Sequence, residues 1–310
     1  MSAEYQWLLS PWALGVLGLC IGSFLNVVIH RLPLILERQW LQEAVDQLHD
    51  GKELARASGT PAAEAEKISA AARGLSDRVD KLPHLGIATP RSRCPHCGHQ
   101  IRAHENLPVI GWLMLGGKCS GCKAPISKRY PLVELVTGAA FAAVGWHFGA
   151  QLTTLLWCGF VAALIALALI DWDTTLLPDI INQPLLWAGL AAASQGWTGV
   201  PLLEALYGAL AGYLSLWSVY WLFKLATGKE GMGAGDFKLL AALGAWLGWQ
   251  MILPIVLGAS AIGAIVGIVM KLSSQLREGR YVPFGPFLAG GGLVVLFAGQ
   301  ATVMGWLGWA

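Results

Sequence analysis

The run Leu152-Thr-Thr-Leu-Leu-Trp-Cys-Gly-Phe-Val-Ala-Ala-Leu-Ile-Ala-Leu-Ala-Leu-Ile170, closed by Asp171-Trp-Asp173, decides the fold class. It contains no Lys, Arg, Asp or Glu, and the charge-free zone reaches back to Leu135. About 18 consecutive apolar residues suffice to read as a membrane-crossing helix. Working outward, a first span is drawn from Trp7 to Ile29, and apolar segments recur at 131–149, 181–195, 202–225, 238–249, 251–270 and 285–308. The segment 238–249 is short, about 18 Å of helix against a hydrocarbon core of about 30 Å. The chain is 55% hydrophobic and 13% charged, against about 45–50% and about 25% for soluble domains. The fold class expected is an all-α polytopic membrane protein with about eight transmembrane helices. An acidic start and the lack of a small-residue cleavage site make the first span a retained anchor.

Charge placement orients the chain. Fifteen of the 21 Lys and Arg lie between Arg31 and Arg129, and the rest are Lys224, Lys229, Lys238, Lys271, Arg277 and Arg280. Threading the spans with the amino terminus outside puts every one of them on the same side. Cytoplasmic loops carry the excess of Lys and Arg, and short loops weigh most, so the basic side is expected to be cytoplasmic. The organisation expected is an anchor at 1–30, a cytoplasmic loop domain at 31–130, and a seven-helix membrane core at 131–310. Within the loop, 34–90 reads as surface helices with apolar positions Leu41, Val45 and Leu48.

The second part of the loop carries Cys94-Pro-His-Cys97 and Cys119-Ser-Gly-Cys122, two knuckles separated by 21 residues. Four thiolates presented this way suit one tetrahedral zinc ion, in a zinc-ribbon-like arrangement. A reducing cytosol favours metal over disulfides. A four-sulfur site has no open position for substrate, so its expected role is structural. His96 and His99 read as surface residues, and Cys20 and Cys158 as small apolar side chains within their spans.

Asp171 ends one span, and Asp236, in Gly231-Met-Gly-Ala-Gly-Asp236-Phe-Lys238, opens another. Threading puts both at the same membrane face, where an ionisable group is costly unless it is paired or functional. Two carboxylates held together share one proton, so one acts as base and the other as acid. That suits peptide hydrolysis, in which water is activated and the leaving nitrogen protonated. The glycines before Asp236 let a peptide backbone approach. No strand precedes them, so they do not form a dinucleotide site, and nothing in the chain points to a nucleic-acid partner. Asp173 and Asp179 read as interfacial residues that cap helices or meet lysines.

In order along the chain stand Gly22-Ser-Phe-Leu-Asn26-Val-Val-Ile-His-Arg31-Leu-Pro33, the four cysteines, and Lys128-Arg129-Tyr130-Pro131-Leu-Val-Glu134. Ile170-Asp171, Leu177-Pro178-Asp179, Gly233-Ala-Gly235-Asp236-Phe-Lys238 and Pro283-Phe-Gly-Pro286 follow. This series resembles the type IV prepilin peptidase family of membrane aspartic proteases. The resemblance implies that Asp171 and Asp236 are the catalytic pair. It implies cleavage, after a glycine, of the basic leader of prepilins and type II secretion pseudopilins at the cytoplasmic face of the inner membrane. The cysteine loop is similar to that of bifunctional members, which then N-methylate the new terminal residue, usually Phe, with S-adenosylmethionine. On that reading Glu134 meets the new ammonium group, and Gly116-Gly117-Lys118 approaches the methyl donor, with Gly117 and Lys118 its contacts. The partners implied are the pilin substrates and the bilayer. Three alternatives stand beside this: a transporter using its acids for protons or cations, a tethered zinc module, and a peptidase without methylation. The oligomeric state is not legible.

Overall fold

The computed structural model describes residues 3–273 and 282–309. Arg277 and Arg280, used above to orient the chain, lie outside them. Among the described residues the regular elements are helices, joined by two isolated antiparallel bridges, Arg93–Gln100 and Lys118–Pro125. The all-α class read from the apolar runs is the one observed.

Helix α1 (Pro11–Gln47) opens on Ser10, whose hydroxyl accepts the Ala13 N–H, with Pro at the first helical position, both favourable starts. It does not end with its apolar stretch at Ile29. It continues as one 37-residue helix past Arg31 and Pro33 into the polar region. The region 34–90 is helical as expected: after α1 come α2 (Gly51–Ser58) and α3 (Ala62–Asp80). The polar helices fold back on α1. Ser69 donates to the Leu48 carbonyl at 2.6 Å, and Arg31 Nη1 donates to the Gly86 and Ile87 carbonyls at 3.0 and 3.2 Å. A short α4 (Ile110–Met114) sits between the two cysteine knuckles.

The other apolar segments are all helical: α5 (Arg129–Phe148), α6 (Thr153–Thr174), α7 (Asp179–Ser194), α8 (Leu202–Thr227), α9 (Ala234–Leu247), α10 (Ile252–Leu272), α11 (Gly285–Ala298) and α12 (Gln300–Trp306). Five stretches are long and apolar enough to cross a membrane: α1, α5, α6, α8 and α10 with the turn before it. The bent pair α11 and α12, at 109°, brings the number to six at most. The count of about eight also took in α7 and α9, which have only 16 and 14 residues. For α9 the shortness has a physical reason. Nearly every residue of α9 is buried, because α7, α8 and α11 pack around it. A short helix is tolerated at membrane depth where protein rather than lipid surrounds its backbone.

Helices approach closely through small residues. On α1, Gly18 and Gly22 lie against Thr137, Gly138 and the Glu134 backbone of α5. On α8, Gly208 lies against the Gly244 carbonyl of α9. Small residues at contacts let membrane helices pack by dispersion where lipid gives no hydrophobic drive. Trp157 and Phe160 of α6 meet Trp246 of α9, whose indole N–H donates to the Leu185 carbonyl of α7 at 2.8 Å. That contact fixes α6, α7 and α9 around one core. Exposed Trp12, Trp146, Trp197, Trp249 and Trp306 stand at or beside helix ends, where membrane proteins concentrate aromatic residues.

Gly208→Leu puts a branched side chain where the Gly244 carbonyl now lies. Overpacking of this kind costs about 1–3 kcal/mol or more. The variant is expected to melt well below the wild type in detergent, read by differential scanning fluorimetry. An unchanged melting temperature would show that α8 and α9 do not touch there.

Candidate active site

Asp171 lies in the last turn of α6, which Thr175 ends in a left-handed conformation (φ 55°), its N–H donating to the Asp171 carbonyl at 2.8 Å. The Asp171 carboxylate turns to the start of α11, where Oδ2 accepts the Gly285 N–H at 2.9 Å. A helix start offers unpaired N–H groups and the positive end of the helix dipole, so this is a favourable seat for an anion. Asp236 stands in the first turn of α9. The two residues are 4% and 7% exposed, close enough for the charge of Asp171 to act on Asp236. Asp236 Oδ1 is buried without a hydrogen-bond partner among the described residues. An acceptor left open in this way is costly.

Leu177 joins the two halves. A Cβ on Gly235 would fall 2.7 Å from Leu177 Cβ, and one on Gly285 would fall 2.6 Å from Asp171 Oδ2. Both positions must therefore be glycine for α9 and α11 to close over the carboxylates. The neighbouring acids are ion-paired. Arg129 donates to both oxygens of Asp173 at 2.8 and 2.6 Å, and Lys238 Nζ to both oxygens of Asp179 at 2.7 and 2.6 Å. Asp179 lies in the first turn of α7 and meets Lys238, one of the two roles read for these acids, while α7 has no side-chain cap. Sequence reasoning missed the Gly285 N–H and the Leu177 plug. Their signals were the Leu177-Pro178-Asp179 and Pro283-Phe-Gly-Pro286 blocks, which give no hint of what the leucine or the amide reaches.

The four cysteines converge as expected. Cys94 and Cys122 Sγ lie 3.8 Å apart, Cys97 and Cys119 Sγ 3.9 Å apart, and all four sulfurs fall within 4.8 Å of one another. Sulfurs bonded to one tetrahedral ion at about 2.3 Å would be about 3.8 Å apart, so the cluster fits zinc. The N–H groups of Cys97 and His96 draw the Cys94 thiol down to about 7. Those of Cys122 and Gly121 lower Cys119. Both effects favour the thiolates that a metal needs. His99 is not a free surface residue. Its Nε2 lies 3.2 Å from Glu105 Oε2 and 2.9 Å from Ser120 Oγ, which braces one knuckle against the other.

Gly117 is buried with φ 69°, and a Cβ there would fall 2.8 Å from the Trp112 ring. Lys118 is exposed and pairs with Pro125 through backbone. Glu134, on α5, is 8% exposed, and its Oε2 accepts the Val109 N–H at 2.7 Å.

Fold and site together define a multi-pass membrane protein with a buried carboxylate pair at one end of its bundle and a four-cysteine knuckle beside it. The Bacterial Peptidase A24 N-terminal domain model matches residues 16–148, and that of the Type IV leader peptidase family matches 158–268. The chain belongs to the type IV leader peptidase family. It is 48% identical over 300 residues to a prepilin leader peptidase/N-methyltransferase of Stutzerimonas stutzeri, covering 95% of this chain and 93% of that protein. The proteins of that name from Pseudomonas aeruginosa and Burkholderia pseudomallei are 46% and 47% identical. Those matches cover 95% and 92% of this chain, and 92% and 84% of theirs. No solved structure matches.

Glu105 offers a local check on the knuckle. The Arg102 N–H, then the Ser120 hydroxyl and His99, hold its carboxyl down to about 2 from an ordinary 4.5. A depressed folded value means the stabilisation is complete above the unfolded value and is lost progressively as pH falls from there through about 2. The Glu105 carboxyl carbon shift in labelled protein should titrate near that pH. A midpoint near 4 would show that these contacts do not form.

Proposed function

We propose that this protein cleaves the basic leader from type IV prepilins and type II secretion pseudopilins at the cytoplasmic face of the inner membrane. It then methylates the new amino terminus with S-adenosylmethionine. Asp171 and Asp236 are the catalytic pair. The observation that carries the reading is the open Oδ1 of Asp236 beside an Asp171 whose other flank is held by the Gly285 N–H. One carboxylate takes a proton from water as the oxygen attacks the scissile carbonyl, and the other, protonated, gives its proton to the carbonyl oxygen. Collapse of the tetrahedral adduct breaks the C–N bond as the nitrogen is protonated. The helix-end placement suits a substrate whose leader is basic and whose next segment is an apolar helix. A transporter would want its acids nearer mid-membrane.

Sidedness rests on the Lys and Arg distribution. The domain division proposed keeps the anchor at 1–30, the loop at 31–130 and the peptidase core at 131–310. Helix α5 also packs extensively on α1, tying the core to the anchor.

For the second reaction the donor supplies a methyl group on a positively charged sulfur. The substrate ammonium first loses a proton to solvent. The amine lone pair then forms the N–C bond as the C–S bond breaks, with both electrons left on sulfur. Zinc on Cys94, Cys97, Cys119 and Cys122 is structural and holds the loop in shape.

Asp171→Asn and Asp236→Asn should each lower leader cleavage at least about 100-fold while the protein stays inserted and folded, read by a prepilin mobility shift. Full cleavage by both would remove the carboxylate mechanism. Purified protein should hold one zinc per chain. Cys94→Ser should lose zinc and methyl incorporation together, by metal analysis and labelled donor. Less than half an equivalent of zinc in the wild type would overturn the metal assignment.

A further inference from the structure

Asn182, near the start of α7, is fully buried, and neither its amide nitrogen nor its oxygen has a hydrogen-bond partner among the described residues. The other buried amides with an open atom, Gln42 and Gln250, each use their nitrogen, Gln42 on Asp46 and Gln250 on Glu204. Among the described residues Asn182 alone is open at both ends. A buried amide with nothing to bond lowers stability, so its retention in the core asks for a use.

Two contacts set its depth. Leu177, just ahead of α7, lies against Gly235, the residue before Asp236, so α7 and α9 start side by side. The Asn182 N–H then donates to the Pro178 carbonyl at 3.0 Å, which puts Asn182 one helical turn, about 5 Å, further in than that start. It shares a helix face with Leu185 and Gly189, and both of these meet Trp246 of α9. Asn182 therefore looks into the core between α7 and α9, while Asp236, with its open Oδ1, stands in the first turn of α9. The two open groups are about one turn apart along the bundle, a spacing that ordered water can bridge. A buried water makes about three hydrogen bonds. Asn182 offers it a donor and an acceptor, and Asp236 Oδ1 offers a further acceptor.

We propose, resting on the peptidase reading given above, that Asn182 is a positioning residue that seats the hydrolytic water beside Asp236. Asp171 and Asp236 are only 4% and 7% exposed, and a peptide lying on them covers what remains. Closing a site expels water, so the attacking molecule has to be held inside before the substrate arrives. A seat one turn further in than the pair does this. From it, one proton of the water passes to Asp236 Oδ1 as its oxygen bonds the scissile carbonyl carbon. The protonated partner carboxyl gives its proton to the carbonyl oxygen. The amide of Asn182 does not titrate, so it orients the water without disturbing the proton that the two acids share.

The test is the initial rate of prepilin cleavage by full-length, zinc-loaded protein in detergent, over a range of substrate concentrations. Asn182→Leu keeps the shape and removes both polar ends. Asn182→Val and Asn182→Thr differ from each other in a hydroxyl that can hold water. Exchanging an unpartnered polar group for an apolar one is near neutral or stabilising, so Asn182→Leu should melt at or above the wild-type temperature. Its kcat should fall about tenfold or more with KM nearly unchanged, and Asn182→Thr should outpace Asn182→Val by a similar factor. If Asn182→Leu does not fold, the Val and Thr pair decides. Wild-type kcat in folded Asn182→Leu, or equal rates for Val and Thr, would overturn the water seat and leave the peptidase reading intact. In folded variants, activity that falls only in step with the melting temperature would mark a structural role and overturn it too. No cleavage by the wild type would overturn the peptidase reading and this inference with it.

Discussion

Two carboxylates buried at one end of a membrane bundle are the constraint on which the rest of this molecule depends. Charged or half-charged groups at that depth are costly unless partners are supplied. The supply here is a helix start: the Gly285 N–H reaches Asp171. For that amide to arrive, α11 must begin on a residue without a side chain, and α9 must begin on another at Gly235, with Leu177 between them. The short, nearly buried α9, tightly packed on α8 and α7, carries Asp236 in its first turn.

The second organising element lies on the other side of the Arg129–Asp173 pair. Helix α1 combines an apolar, membrane-length stretch and a polar strut in one piece, and the polar helices return to it through Arg31. The cysteine cluster closes a loop that has little apolar core of its own, and its four sulfurs lie close enough together to hold one metal ion. His99 and Glu105 knit the two knuckles together beside the sulfurs. The carboxylate pair and the knuckle are thus two chemically different sites mounted on a shared frame.

Much of this was legible before any coordinates. Charge-free runs gave the membrane helices, because lipid admits almost nothing else for such lengths. Paired Cys-x-x-Cys motifs gave the cluster, because ligand spacing is local. The number of full-length spans was less legible: α7 and α9 look like spans by composition but are short helices, and α9 is enclosed by its neighbours. The extension of α1 past Arg31 was hidden because helix continuity carries no hydropathy signal.

What the sequence by itself determined was the list of parts: apolar helices, a basic side, four sulfur ligands, and acids at helix ends, all set by short-range spacing and solvent preference. Only the tertiary structure decided which parts meet. Residues 65 apart, such as Asp171 and Asp236, or 114 apart, such as Asp171 and Gly285, come together through the packing of α6, α9 and α11. That packing depends on side-chain shape across helices, information that no local pattern contains.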